Sequence, residues 1–218
     1  MAKALLGVLI NFLIILTCHS QWNEDLESFD LSLMKVESDF LEPVDSYFNL
    51  RDHEFDYYQN IKSLLLVNLS ESPLARMIVL PSFEREYVIS IDEKDNVYSL
   101  NFVIASSSIW HTQKSETISP ISTSKIIPCE LAEKIQQLFE LSINNARYVK
   151  GGGAGVDGTT YFFSTTTKGF TRTAQKWSPY EGTKIFELIE LAESMINAEV
   201  DQEKLTKRIE ILRSRFNR

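Results

Sequence analysis

Cysteine is almost missing from this chain: Cys18 and Cys129 are the two in 218 residues. Cys18 falls in a segment that reads as removable, and a chain left with Cys129 alone cannot close an internal disulfide. Its stability must then come from a packed core, even in an oxidising compartment. Histidine is equally scarce, at His19, His53 and His111. So few soft ligands, so far apart, leave no expectation of a metal site, and no cofactor is expected either. Positive charge is short as well, with 22 Lys and Arg against 30 Asp and Glu. Without a basic stripe to offset phosphate repulsion, nucleic acid is not an expected partner. Beyond residue 16 no apolar run is long enough to span a bilayer, so no transmembrane span is expected.

What is present begins with Lys3 and a low-polarity run from Ala4 to Leu16, broken only by Asn11. A cation followed by about 13 apolar residues suits a signal-peptide core and falls short of a membrane span. Cys18 and Ser20 are small residues at −3 and −1 of a cut before Gln21. The expectation is a signal peptide over 1–20 and an exported chain, periplasmic or extracellular. A rival cut before Cys18 would leave a lipid anchor on that cysteine, but Thr17 is a poor residue to precede such a site.

The acidity is concentrated. Residues 21–60 hold eleven Asp and Glu against Lys35 and Arg51, whereas residues 61–218 carry 19 charges of each sign. This reads as an acidic helical arm, suited to a basic protein partner or simply to a solvated surface. Within it, Leu26, Phe29, Leu33, Val36 and Phe40 recur at helical spacing and Pro43 follows.

Further along, Arg76–Leu80, Glu86–Ile91 and Val97–Ala105 are rich in Val, Ile, Tyr and Phe and partly alternate, which predicts antiparallel strands. A further strand is predicted over 115–122. The run from Ile61 to Leu69 suits either a buried helix or a strand. Pro128 opens a helix whose stripe is Leu131, Ile135, Leu138 and Ser142. Thr159–Thr165 and Thr171–Trp177 predict a second hairpin, followed by a helix from Pro179. Leu205, Ile209, Leu212 and Phe216 mark a helical tail. The expectation is an α+β fold: an antiparallel sheet from two strand groups with helices on one face, an N-terminal amphipathic acidic helix and a C-terminal helical tail. The corresponding divisions are 1–20, 21–60, 61–198 and 199–218.

Motifs are thinner. Gly153-Ala154-Gly155-Val156-Asp157-Gly158 has dinucleotide-fingerprint spacing, but it follows a predicted helix and precedes a strand, the reverse of what holds a pyrophosphate. Ser178-Pro179-Tyr180-Glu181 reads as a capping box. Cys129, in the first turn of a helix, reads as a buried small hydrophobe. Ser106-Ser107-Ser108 with His111 has hydrolase residue types without an elbow motif.

The stretch Leu80-Pro81-Ser82-Phe83-Glu84-Arg85-Glu86-Tyr87, running on to Ser108-Ile109-Trp110, resembles a segment of uncharacterised exported bacterial proteins. So does Asp157-Gly158-Thr159-Thr160-Tyr161, followed by Trp177-Ser178-Pro179 and Gly182-Thr183. The resemblance covers roughly residues 75–197. It implies a bacterial envelope origin and no particular activity. No catalytic residue is assigned. The aromatic supply in Trp110, Tyr161, Phe163, Trp177 and Tyr180 favours a non-enzymatic binding or interaction protein, of inhibitor or immunity type in one version. Trp110, Asp157, Tyr161, Trp177 and Tyr180 are the candidate binding residues. The alternative is an exported hydrolase acting through carboxylates or through Ser108 and His111.

Overall fold

Seven strands arise where β-branched and aromatic residues cluster between turn-forming ones: β1 (Glu42–Val44), β2 (Ala75–Pro81), β3 (Tyr87–Lys94), β4 (Val97–Ala105), β5 (Pro120–Ile126), β6 (Thr159–Thr167) and β7 (Phe170–Trp177). They form one antiparallel sheet in the order β1-β7-β6-β2-β3-β4-β5. The computed structural model describes residues 35–45, 47, 55–112, 117–148, 157–196 and 201–218. The leader expected over 1–20, most of the helix expected over 26–40, and the glycine run up to Val156 lie outside the described residues. Residues 38–218 make up one compact unit.

Two hairpins have two-residue turns whose central residues are both left-handed: Asp95 and Asn96 at φ 53° and 62°, Lys168 and Gly169 at φ 54° and 79°. That conformation matches the twist of the flanking strands, and Asn and Gly tolerate it best. Among the described residues four helices complete the unit: α1 (Phe55–Ile61, running into a π-helical turn at Lys62–Leu66), α2 (Cys129–Asn144), α3 (Lys184–Ser194) and α4 (Gln202–Phe216).

Met77, Val79, Ile89, Ile91, Phe163 and Ala174 project from one face of the sheet into a core shared with α2, α3 and α4. Burying each large side chain of this kind contributes about 1.5–3 kcal/mol. The tail stripe Leu205, Ile209, Leu212 and Phe216 is part of this core. Ile78, Leu80, Val88, Val103 and Phe162 point the other way, onto Ile61 and Leu65 of α1 and its π-turn. The run from Ile61 is therefore helical. The main helical layer covers one face as expected, and α1 adds a shorter cover to the second. Strand β1 and α1 lie within the segment read as an acidic arm, yet β1 pairs with β7 and α1 packs on the sheet.

The second face also holds a buried polar network. Arg76, 3% exposed, donates through Nε to Ser90 Oγ (3.0 Å), and its Nη2 donates to the Ser70 carbonyl (2.6 Å) and Asp92 Oδ1 (3.4 Å). Asp92 also accepts from Ser90 Oγ (2.7 Å) and Asn101 Nδ2 (2.9 Å). Both carboxylate oxygens of Asp92 are thus engaged, which is what lets a charged pair survive burial. Tyr47 joins from above, its hydroxyl bonded to Ser164.

Three local expectations are corrected. Cys129 is exposed, with its thiol towards Glu133 Oε1 (3.5 Å), because it sits on the outer side of α2's first turn. Phe163 is not an available aromatic, since it is fully buried against Phe139. The strand expected over 115–122 runs instead from Pro120 to Ile126.

Candidate functional site

At one end of the sheet the four motif stretches meet, although their ends lie up to a hundred residues apart. Strand β2 ends at Pro81 opposite Thr159, the first residue of β6. The next residue extends that junction: Ser82 N–H donates to the Gly158 carbonyl (2.8 Å), and Gly158 N–H donates back to Ser82 Oγ (3.0 Å). On the other side Ser178 does the same. Its N–H donates to the Thr159 carbonyl (2.9 Å) and its Oγ accepts from Thr159 N–H (2.9 Å). Two serines thus clamp Gly158-Thr159 between them.

Gly158 is required here for space. A Cβ at that position would stand 2.6 Å from the Trp177 ring and 2.5 Å from Ser178 Oγ. The indole therefore lies directly against the glycine backbone. Ser178 has φ 34°, a left-handed conformation uncommon outside glycine. This corrects the capping-box expectation. The Ser178 hydroxyl is spent on Thr159, and the helix starts later, at Lys184, with Thr183 as its cap. Asp39 Oδ1 supplies a second cap by accepting from Lys184 N–H (2.6 Å).

The neighbouring turn is held by a carboxylate. Glu86, fully buried, accepts from Ile109 N–H at Oε2 (2.7 Å) and from Trp110 N–H at Oε1 (3.0 Å). Tyr57 from α1 donates its hydroxyl to the same Oε1 (3.2 Å), and its ring meets Trp110 edge-on at 5.0 Å. Ile109 is buried in the second core while Trp110 is 53% exposed. The next residue, His111, bonds through Nε2 to the Ser82 carbonyl (2.7 Å). A carbonyl only accepts, so Nε2 carries the proton. The imidazole also stacks on Phe83, with the planes 8° apart and the centroids at 6.2 Å.

The result is a set of exposed rings on a bonded frame: Phe83, Trp110, His111, Trp177 and Tyr180. Ser82 links the His111 turn to Gly158, and Gly158 carries Trp177. Asp157, also exposed, precedes the glycine. Of the five candidate residues, Trp110, Asp157, Trp177 and Tyr180 belong to this end. Tyr161 points instead into the helix-side core, beside Tyr87 and near Glu193. Burial raises its hydroxyl pKa, and the Glu193 charge adds to the effect. Tyr87, whose hydroxyl bonds to Glu193, is raised for the same reasons.

Chemically the arrangement offers exposed ring faces and edges. His111 Nε2 is engaged by a main-chain carbonyl, and the Ser108 hydroxyl receives the His111 main-chain N–H at 3.4 Å. Among the described residues no group of His, Cys, Asp and Glu could hold a metal ion. Nor, among them, is any helix long and apolar enough to cross a membrane. The sequence pointed to Trp110 and Trp177 as binding residues; Ser82, Phe83 and Glu86 stood in the stretch quoted for its resemblance but without a role, because their roles depend on partners distant in sequence. Compared with protein-family models, curated proteins and solved structures, the chain has no significant match in any of the three.

Proposed function

We propose that this is an exported binding protein of the cell envelope, non-enzymatic, whose recognition surface is the aromatic end of the sheet. The observation that carries the reading is the exposure of Trp110 and Trp177, 53% and 39%, on turns fixed by a buried carboxylate and a glycine contact. Large rings held rigid and exposed favour binding because little side-chain freedom remains to be lost. The acidic segment 21–60 would attract a basic partner, an effect that salt weakens. The hydrolase alternative has less support, because the contact between Ser108 and His111 runs through the His111 main-chain N–H and not through its ring.

The test is equilibrium binding of the purified chain to immobilised envelope glycans and to basic envelope proteins, alongside Trp110→Ala and Trp177→Ala. The reading expects each variant to bind the ligand found at least tenfold more weakly, with its thermal midpoint kept within a few degrees. Binding untouched by both substitutions would refute it. So would a turnover activity abolished by His111→Ala.

A further inference from the structure

The open edge of the sheet at β5 forms a self-complementary docking surface. We propose that two copies of this chain pair there, antiparallel, about a two-fold axis through Ser124.

Strand β5 is paired to β4 through seven consecutive residues, from Ala105↔Pro120 to Ser99↔Ile126, with no bulge. Among the described residues its other side carries no strand, and six of its seven residues are exposed. Edges are normally protected by charge, proline or a bulge. Here the one charged residue is Lys125, whose ammonium turns back to the Met195 carbonyl. Proline occurs only at the margins, as Pro120 and Pro128.

The hydrogen-bond phase shows which groups are offered. Ile127 N–H donates to the Tyr98 carbonyl and Ser106 N–H to the Ser119 carbonyl, so odd-numbered residues are the ones bonded to β4. Ser122, Ser124 and Ile126 therefore aim their N–H and C=O outwards. Ser124 lies midway between the two prolines. Pairing about it sets Ser124 opposite its own copy and Ser122 opposite Ile126 of the second copy. Those pairs exchange six main-chain hydrogen bonds and leave both prolines outside the ladder. Lys125 then faces Thr123, so no like charges oppose each other.

Side-chain fit supports the same register. A groove of about 310 Å³ runs beside β5 on the α1 face, lined by Leu64, Val67, Leu69, Val103 and Ser122 and by no ionisable side chain. Ile126 lies on that face and is 79% exposed. In this register each copy sets its Ile126 beside the other's Ser122, at the groove. A neutral strand with an isoleucine on that face is what the groove accepts, and β5 is itself such a strand.

The experiment is sedimentation equilibrium of the purified full chain over a concentration series, with Ser124→Lys and, in a Cys18→Ser background, the pair Ser124→Cys, Cys129→Ser. The unaltered chain should show a monomer–dimer equilibrium. Ser124→Lys places two ammonium groups across the axis and should raise the dissociation constant about tenfold or more. Ser124→Cys in the Cys129→Ser background should cross-link to a covalent dimer on mild oxidation, whereas Ser122→Cys in that background should not. A chain that stays monomeric to about 1 mM overturns the proposal. So does association unaffected by Ser124→Lys, or a monomer that takes up only an extended segment of another protein at β5.

Discussion

Replacing Glu86 by glutamine changes one atom's chemistry in a place where all of it is used. The carboxylate accepts three hydrogen bonds, from Ile109 N–H, Trp110 N–H and the Tyr57 hydroxyl, with no exposure to water. An amide has one accepting oxygen and one donating nitrogen. Its best orientation keeps the oxygen on Trp110 and Tyr57 and turns the NH2 group towards the Ile109 N–H. One charge-assisted bond is lost, worth about 1.5–3 kcal/mol, and two donors then face each other in a dry site. We expect Glu86→Gln to cost about 2–4 kcal/mol in urea unfolding. Tyr57→Phe, which removes a single donor, should cost about 0.5–1.5 kcal/mol. Amide hydrogen exchange localises the effect: the Ile109 and Trp110 amides should lose protection well beyond the global loss seen in β3. If Glu86→Gln lowers stability by less than about 0.5 kcal/mol and both amides stay protected, the carboxylate is not what holds the turn.

Arg76→Met should destabilise by about 3–5 kcal/mol, because it leaves Asp92 charged and buried without its cation. Adding Asp92→Asn to it should recover part of that loss in the same urea melts. Stability should also fall in alkali. Burial raises the Tyr47, Tyr87 and Tyr161 hydroxyls above their ordinary value of 10.0. Above that pH the folded chain keeps protons the unfolded chain releases, so the stability present below about pH 10 is lost as pH rises. Tyr87→Phe should flatten this decline in thermal melts between about pH 9 and 12.

The sheet interior was legible because burial imposes alternation. Val97–Ala105 appears as a strand with the bounds that its residues suggested. Strand β5 was misplaced for the converse reason. With both faces exposed, Ser122, Thr123 and Ser124 carry no apolar rhythm to mark them. The Ser178-Pro179-Tyr180-Glu181 pattern fits a capping box locally, but the hydroxyl found a better donor in Thr159, across the hairpin. Cys129 was misjudged because residue type alone does not say which side of the first helical turn faces outward. Glu86 stood in the stretch that carries the resemblance, but no pattern around it assigned it a role. One acid among 30 is singled out only by its partners, 23 and 24 residues ahead on a turn and 29 behind on α1. The apolar stripe of α4, Leu205, Ile209, Leu212 and Phe216, was legible, whereas its Asp201 cap was not singled out.

The centre of the sheet joins neighbours of very different reach along the chain. Strand β2 pairs locally with β3 but also with β6, and the clamp between Ser82 and Gly158 spans 76 residues. Closing so long a loop is entropically expensive, so the two hairpins should form early and that central seam late. The ring-bearing surface straddles the seam. A polypeptide emerging in an unfolded state would have no recognition capacity until its last long-range zipper had shut, which ties binding competence to the completion of folding.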